Sequence, residues 1–570
     1  MSYKIHISDR RYEEYKFVDS RTLDNSHVDG VDVDPVSNKL FNQDIFKLLD
    51  NGNIILQHSS VRSMPVIPGV LVLNNNKTYG KKGKRFLYKC IPDDRRLPEF
   101  LVPYTIKSKF NKSLKNIYVI FKFDEWDDKH PRGTLKHNLG AVDTLDNFYE
   151  YQLYCKSLYA SIQNFTKATM KILRKNSEEY FINKLIEKYH PEDRLDYDIV
   201  TIDSESCKDF DDGFSIIENE NEWMISVYIS NVSLWLDAMG LWDSFSERIS
   251  TIYLPDRKRP MLPTILCDAI CSLVEGNIRF AFTLDIRVNK ETYEILETKL
   301  SNTVIRVKHN LRYGSEKMKN NPVYNKIFPV IYKLNRKYKY IDSIKTSHDI
   351  VAYLMIQMNY ICAKKMVSFK TGIYRSAKVN NNIEIPDNVD EGLRKFLKMW
   401  YSFGGNYCTY ENIKGHDMLD LEAYVHITSP IRRLVDLLTM IIIQKEMVIL
   451  TLSDDAYKFY DKWTKTESLE YINKTMRSIR KVQNDCNLLN ICNDNNEILE
   501  KVYDGFIFDK IYRNDALYQY MVYLPELKMT NRFTSRYDKE NHSVQQFKIY
   551  IFTDEDRLKR KIRVELQCSG

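Results

Sequence analysis

The sequence predicts a multidomain α+β protein in which a mixed α/β block is flanked by small β-barrels. Three observations predict it. The chain has 570 residues, too many for one hydrophobic core, so roughly three or four domains are expected. Short apolar runs broken by Gly, Asn and Pro recur from Pro68 to about 123 and again after Leu499, a strand-and-turn rhythm. Between about 195 and 495 helical and strand periods are mixed.

Residues 1–64 carry mixed signals, with Asp- and Asn-rich punctuation (VDGVDVDPVSN, DNGN). Residues 65–148 read as strands (PGVLVLNNNKTYGKKGKRFLYKCIP, EFLVPYTI, KNIYVIFKF) and suggest a small barrel of the OB or cold-shock type. Its first turn sets Lys77, Lys81, Lys82, Lys84 and Arg85 beside Tyr79, Phe86 and Tyr88. A single-strand groove needs cations for phosphates and aromatics for base faces; a solvated basic hairpin would read the same. The α/β domain spans 149–498, and its opening stretch, 149 to about 185, follows a helical period and reads as one linking helix. Residues 499–570 (YDGFIFDKIY, YQYMVYLPEL, FKIYIF, KIRVELQ) form a second small barrel of OB type, closed by a basic tail at Lys559, Arg560, Lys561 and Arg563.

Composition narrows the function classes. A net charge of +7 is compatible with a nucleic-acid partner, and Tyr (39) outnumbers Phe (26); tyrosines can serve as stacking platforms for unpaired bases, although most in any chain simply pack. The ten cysteines include no C-x-x-C pair, so they read as free thiols of a reducing compartment and not as zinc ligands. The longest apolar stretch, around Leu434 to Ile443, contains Asp436 and is far shorter than a membrane span. The charged N-terminus lacks a signal-peptide run. A soluble intracellular protein, cytoplasmic by default, is expected.

The chemistry-bearing segment is TIDSESCKDFDDGFSI, with Asp203, Asp209, Asp211 and Asp212 in the pattern D-x5-D-x-D-D. Four acids this close repel one another and, where buried, must bind cations or protonate. An all-oxygen set favours Mg²⁺ or Mn²⁺ over zinc, and can hold two ions about 4 Å apart for phosphodiester hydrolysis. EF-hand spacing is not met, and the apolar flanks DIVTI and FSII argue for a strand edge inside the fold. Two further segments add to this. YLPDRKRPMLPTILCDAICSLVEG sets Tyr253 beside a rigid turn. AYVHITSPIRRLVDLL sets Ser429, Pro430, Arg432 and Arg433 at an expected helix start, capped by Thr428 or Ser429, an arrangement suited to phosphate.

Taken together, TIDSESCKDFDDG, YLPDRKRPMLP followed by CSL, and HITSPIRR resemble the three signature segments of the ribonuclease II / RNB family, in order, over roughly residues 65–570. PRGTLKHNLG resembles the close of that family's second cold-shock domain, so residues 1–64 stand where a reduced or diverged first one would be. The resemblance implies an RNB catalytic domain flanked by OB-type domains. It also implies processive hydrolysis of single-stranded RNA from the 3′ end to nucleoside 5′-monophosphates, by a monomer or by a subunit of an RNA-degradation complex. Asp203, Asp209, Asp211 and Asp212 match the metal-binding acids, with Asp211 the least dispensable. Tyr253 matches the aromatic stacking on the terminal base, and Arg432 the arginine at the scissile phosphate. Arg433, Ser429, Tyr79, Lys82 and Arg85 complete the expected RNA contacts; apart from the resemblance, Lys474, Arg477 and Lys481 share one helical face, which reads equally as a backbone-gripping stripe or a solvated face.

Departures from the family pattern are Tyr228 for His, Asn231 for Asp, Leu434 for Tyr, Met440 and Ile441 for His-Arg, and Ala352 for an acid. They leave open a second reading, a catalytically weak RNB-fold protein that binds RNA or acts as a scaffold. An endonuclease is disfavoured, because the Tyr253 and Arg432 segments imply recognition of a chain end. The Asn-, Lys- and Ile-heavy composition points to an AT-rich source, a large DNA virus or a protist.

Overall fold

The computed structural model describes residues 2–22, 33–106, 114–380, 385 and 389–567. The Asp-rich VDGVDVDPVSN stretch therefore begins outside the described residues, as does Cys568. Two compact units emerge: residues 1–159, 254–256 and 481–570 in one, 160–253 and 257–480 in the other.

The first unit contains three sheets. Residues up to His58 form a four-stranded antiparallel sheet, ordered Tyr15–Asp19, Ser2–Ile7, Ile45–Leu48, Ile54–His58. The alternation of Ser2–Ile7, with Tyr3, Ile5 and Ile7 buried, gives it an inner face. That face does not close a core alone: Ile5, Phe41 and Phe46 pack with Phe100, Val119 and Phe121 of the next sheet. In this second sheet Ile67–Leu71 pairs with both Ile117–Glu125 and Arg85–Pro92, closing a five-stranded ring to which Lys81–Lys82 is appended. Gly69 sits at that double pairing, where a Cβ would come within 2.9 Å of the Cys90 sulfur. The third sheet has five strands between Tyr503 and Leu566. Its last strand, Lys559–Leu566, is the segment expected as a basic tail. Lys559 pairs there with Asp93 at 2.6 Å, Lys561 with Asp554, and Arg563 with Glu565 at 3.2 Å.

The expected single linking helix is three: Leu145–Cys155, Gln163–Leu173 and Glu178–Tyr189. The periodicity is real, but Ser157 takes a left-handed backbone (φ 56°) beyond the first, and Ser177 caps the third by accepting the Tyr180 N–H.

The second unit is built on a closed barrel of five strands, in the order Glu192–Asp203, Asp212–Glu218, Glu222–Ser230, Ile278–Asn289, Ile295–Arg312. Neighbours are antiparallel except at the seam, where the first strand runs parallel to the last. One set of side chains (Val200, Phe214, Ile225, Val227, Leu284, Ile286) joins the large core that includes helices Ser347–Ser368 and Leu434–Glu446. The other set is largely polar and meets across strands that are not neighbours, which places it inside the barrel. There Arg194 donates to both oxygens of Asp285 at 2.7 and 2.6 Å, Ser226 donates to the same carboxylate at 2.6 Å, and the Ser215 and Tyr228 hydroxyls lie 2.9 Å apart. Tyr228 thus fills the interior. Asn231 caps the helix Val232–Ala238 and bonds Asn302 and Gln444. Among the described residues every cysteine is a free thiol, and no helix is long and apolar enough to cross a membrane.

Candidate active site

The four acids gather at one end of this barrel. Asp203 ends its first strand and Asp212 begins the second, so Asp209 and Asp211 lie on the connecting loop. That loop has little regular structure and is pinned from outside. Ser272 Oγ accepts the Phe210 N–H and donates to the Lys208 carbonyl, both at 2.9 Å, and the Leu273 N–H donates to the Phe210 carbonyl at 3.0 Å. Arg312 donates to the carbonyls of Ser204 and Cys207 and lies 5.2 Å from the Phe210 ring centre. The Cys-Ser-Leu segment follows a single π turn, Leu266–Ile270, a local widening often found at functional sites. Buried Arg279 holds it by the Ala269 and Ser272 carbonyls. CSL is therefore an anchor for the acid loop, a role its sequence did not reveal.

Each carboxylate has its own environment. Asp211 is 3% exposed; one oxygen accepts the Ile431 N–H at 2.9 Å and the other the Arg432 Nε–H at 3.1 Å. Burial nonetheless raises its pKa to about 7. Asp209 accepts Lys258 Nζ at 2.8 Å on Oδ1 and the Tyr253 hydroxyl at 3.0 Å on Oδ2. Burial and Asp209 push the Tyr253 phenol up, so it stays a donor. Burial raises Asp203 to about 6, and its Oδ2 is buried without a partner. Asp212 is held well above the usual carboxylate range by burial, then by Asp203 and Asp211.

Among the described residues no three His, Cys, Asp or Glu side chains are gathered closely enough to hold a metal ion. Two of the four acids are instead drawn onto Arg432 and Lys258. The other two suit a hard cation: Asp203 has an orphaned buried oxygen, and burial raises both carboxylates, against the opposing charges of Arg312 on Asp203 and Arg432 on Asp212.

Opposite the loop, the segment Ser429–Arg433 is a turn, and the helix expected there begins only at Leu434. The Arg432 and Arg433 N–H groups bond the Ser429 carbonyl, which leaves the Ile431 N–H and the Arg432 side chain pointing at Asp211. Arg432 also donates to Ser429 Oγ at 2.8 Å, and Arg433 to Asp436 at 2.9 Å. Asp436 in turn accepts the Ser429 N–H, fixing the turn that replaces the expected cap. Tyr253 is 40% exposed beside this cluster. Structure thus brings together Asp203, Asp209, Asp211, Asp212, Tyr253, Ser429 and Arg432, and adds Lys258, Ser272 and Arg312, which sequence reasoning missed. Tyr313 stands near as well: its N–H bonds the Asp203 carbonyl and its ring stacks on His348 at 3.6 Å.

In the other unit, Lys82 pairs with Asp124 and Glu125, so its charge is already neutralised. Lys77 lies over Tyr79 and Lys81 over Phe86, which is 43% exposed, while Tyr88 is buried. Arg85 is exposed, as are Lys474 and Arg477 on the helix Thr466–Asp494 and Lys481 beyond them.

Residues 192–317 match the RNB domain model, and residues 87–150 the Dis3-like cold-shock domain 2. Ribonuclease R of Mycoplasmopsis pulmonis is 34% identical over 138 residues, 24% of this chain and 19% of that protein. Exosome complex exonuclease RRP44 of Homo sapiens is 28% identical over 247 residues, 42% of this chain and 24% of that protein. The matched part thus spans only about a fifth to a quarter of these relatives. Among solved structures, Mycoplasma genitalium RNase R in complex with ribose methylated single-stranded RNA is similar at a TM-score of 0.69 and 16% identity, covering 99% of this chain and 100% of that one. Yeast Ssd1, a pseudonuclease, is similar at 0.58 and 13% identity, covering 93% and 78%. At such identities the likeness is one of fold.

Proposed function

We propose that this chain, which carries an RNB domain behind a Dis3-like cold-shock domain 2, is a metal-dependent 3′-to-5′ exoribonuclease. It degrades single-stranded RNA processively to nucleoside 5′-monophosphates. The observation that carries this reading is one cluster: four acids at a barrel end, with the partly exposed side chains of Arg432 and Tyr253 against them. Asp203, Asp209, Asp211 and Asp212 would hold divalent Mg²⁺ or Mn²⁺, which supplies Lewis-acid activation of water and of the leaving oxygen. Arg432 faces the same point, and 42% of its side chain is open to a phosphate whose charge grows in the transition state. The buried walls around Asp211 limit competing water and strengthen that interaction.

Two observations favour a second reading, an RNB-fold protein that grips RNA without cutting: among the described residues no three His, Cys, Asp or Glu side chains are gathered closely enough to hold a metal ion, and a pseudonuclease shares the fold. Incubating purified protein with a 5′-labelled single-stranded RNA and Mg²⁺ separates the two. A ladder shrinking to a short limit product is expected. A mobility shift without products would leave only the binder, and internal fragments an endonuclease.

Tyr253 provides a finer test of the terminal-base contact. A base stacked on an aromatic gains roughly 1–3 kcal/mol, which matters most once few nucleotides remain bound. Tyr253→Ala is expected to release RNA early and lengthen the limit product. Tyr253→Phe, which keeps the ring and loses the hydroxyl bond to Asp209, is expected to keep the wild-type limit product. An equal lengthening in both variants would assign the effect to Asp209 positioning, not stacking.

A further inference from the structure

Tyr253 and Lys258 face each other directly across the two-stranded ribbon formed by Ile252–Tyr253 and Lys258–Arg259. From there they take one oxygen each of Asp209, Tyr253 on Oδ2 and Lys258 on Oδ1. Lys258 has a second seat: its ammonium also donates to Asp268 Oδ1 at 2.7 Å, where the Cys267 thiol donates as well at 2.9 Å. Both ion pairs are largely shielded, with side-chain exposures of 22% for Lys258, 6% for Asp209 and 19% for Asp268. An ammonium this close to Asp209 blocks one of its oxygens and repels any cation approaching the other three acids.

We propose that Lys258 is the resident counter-ion of the aspartate cluster. It competes with the divalent cation for Asp209 and withdraws to Asp268 when the cation binds, so that it sets metal affinity. This rests on the metal-dependent reading above. Lys258 acts through Asp209 and is a positioning residue. In the arrangement seen, one of the acids is held by Lys258 and another by Arg432.

The test is Mn²⁺ binding to the full chain, followed by loss of the free-ion paramagnetic resonance signal and independent of RNA cleavage. Lys258→Met is expected to tighten Mn²⁺ binding about tenfold or more, the scale of one nearby like charge. Asp268→Asn is expected to weaken binding in the wild type, since the ammonium loses its alternative seat. In the Lys258→Met background the same change should have little effect. Lys258→Gln serves where thermal melting shows the Met variant unfolded, with the same tightening expected. Unchanged or weaker binding by the folded Met or Gln variant would overturn the proposal, as would an equal loss from Asp268→Asn in both backgrounds. Tight Mn²⁺ binding indifferent to Lys258 overturns only this role. Absence of Mn²⁺ binding in every variant overturns the metal-dependent reading with it.

Discussion

Asp211→Asn is expected to lower single-turnover RNA cleavage on the order of 10⁴-fold, the scale on which loss of one acting group registers in a hydrolase, while RNA affinity stays close to wild type. The substitution conserves shape, and its amide oxygen can still accept the Ile431 N–H. What it removes is the charge a cation needs and the oxygen that holds Arg432 Nε. On the proposed reading both losses fall on the chemical step and leave the RNA contacts elsewhere untouched. Cleavage and binding measured on one labelled RNA decide the matter. Activity within tenfold of wild type would remove Asp211 from the centre of the reaction, and an equal fall in affinity would show that it serves binding instead.

The second large effect is expected far from the acids, inside the barrel. Asp285→Ala should destabilise the protein by about 3–5 kcal/mol, the usual cost of leaving a buried charge without its partner. Arg194 is 2% exposed and loses two direct bonds to Asp285, keeping Glu192 at the barrel rim, the hydroxyls of Ser226 and Tyr228 and the ring of Tyr197. Urea unfolding of wild type, Asp285→Ala and the double variant Arg194→Met with Asp285→Leu reads this directly. The double variant should recover most of the loss, because replacing both charges with apolar groups avoids their desolvation. A single-variant loss below about 1 kcal/mol, the range of exposed pairs, would mean that the guanidinium finds water or another acceptor.

What the sequence disclosed divides along the range of the interactions. The aspartates were legible because mutually repelling acids between apolar strands leave few innocuous explanations, and the C-terminal sheet because alternation declares itself within a few residues. Ser272 was not legible: it reaches Phe210 from 62 positions away, and nothing in local spacing announces it. Lys258 was not legible either: it is the ribbon with Tyr253 that places it on Asp209. The expected helix start at Ser429 failed because tertiary demands outweighed good capping chemistry. The chain keeps that segment as a turn, so that Ile431 and Arg432 can meet Asp211, and only then coils. The N-terminal sheet was obscure for another reason: its strands are short, and its apolar face is completed by residues from the sheet that follows.

The parallel seam of the barrel governs when the acid cluster comes into being. Asp203 pairs with Arg312, and Arg312 binds the loop at Ser204 across 108 residues. Asp211 acquires its bond from Ile431 across 220 positions of the chain. Contacts of such separation form late, because loop closure must precede them. On a ribosome adding roughly 5–20 residues per second, about 10–45 s separate the emergence of Asp211 from that of the turn that holds it. For the first part of that interval neither Arg312 nor Arg432 has been made, and for the rest Arg312 is present without Arg432. A chain halted before the seam strand is synthesised would therefore lack the ordered acid cluster.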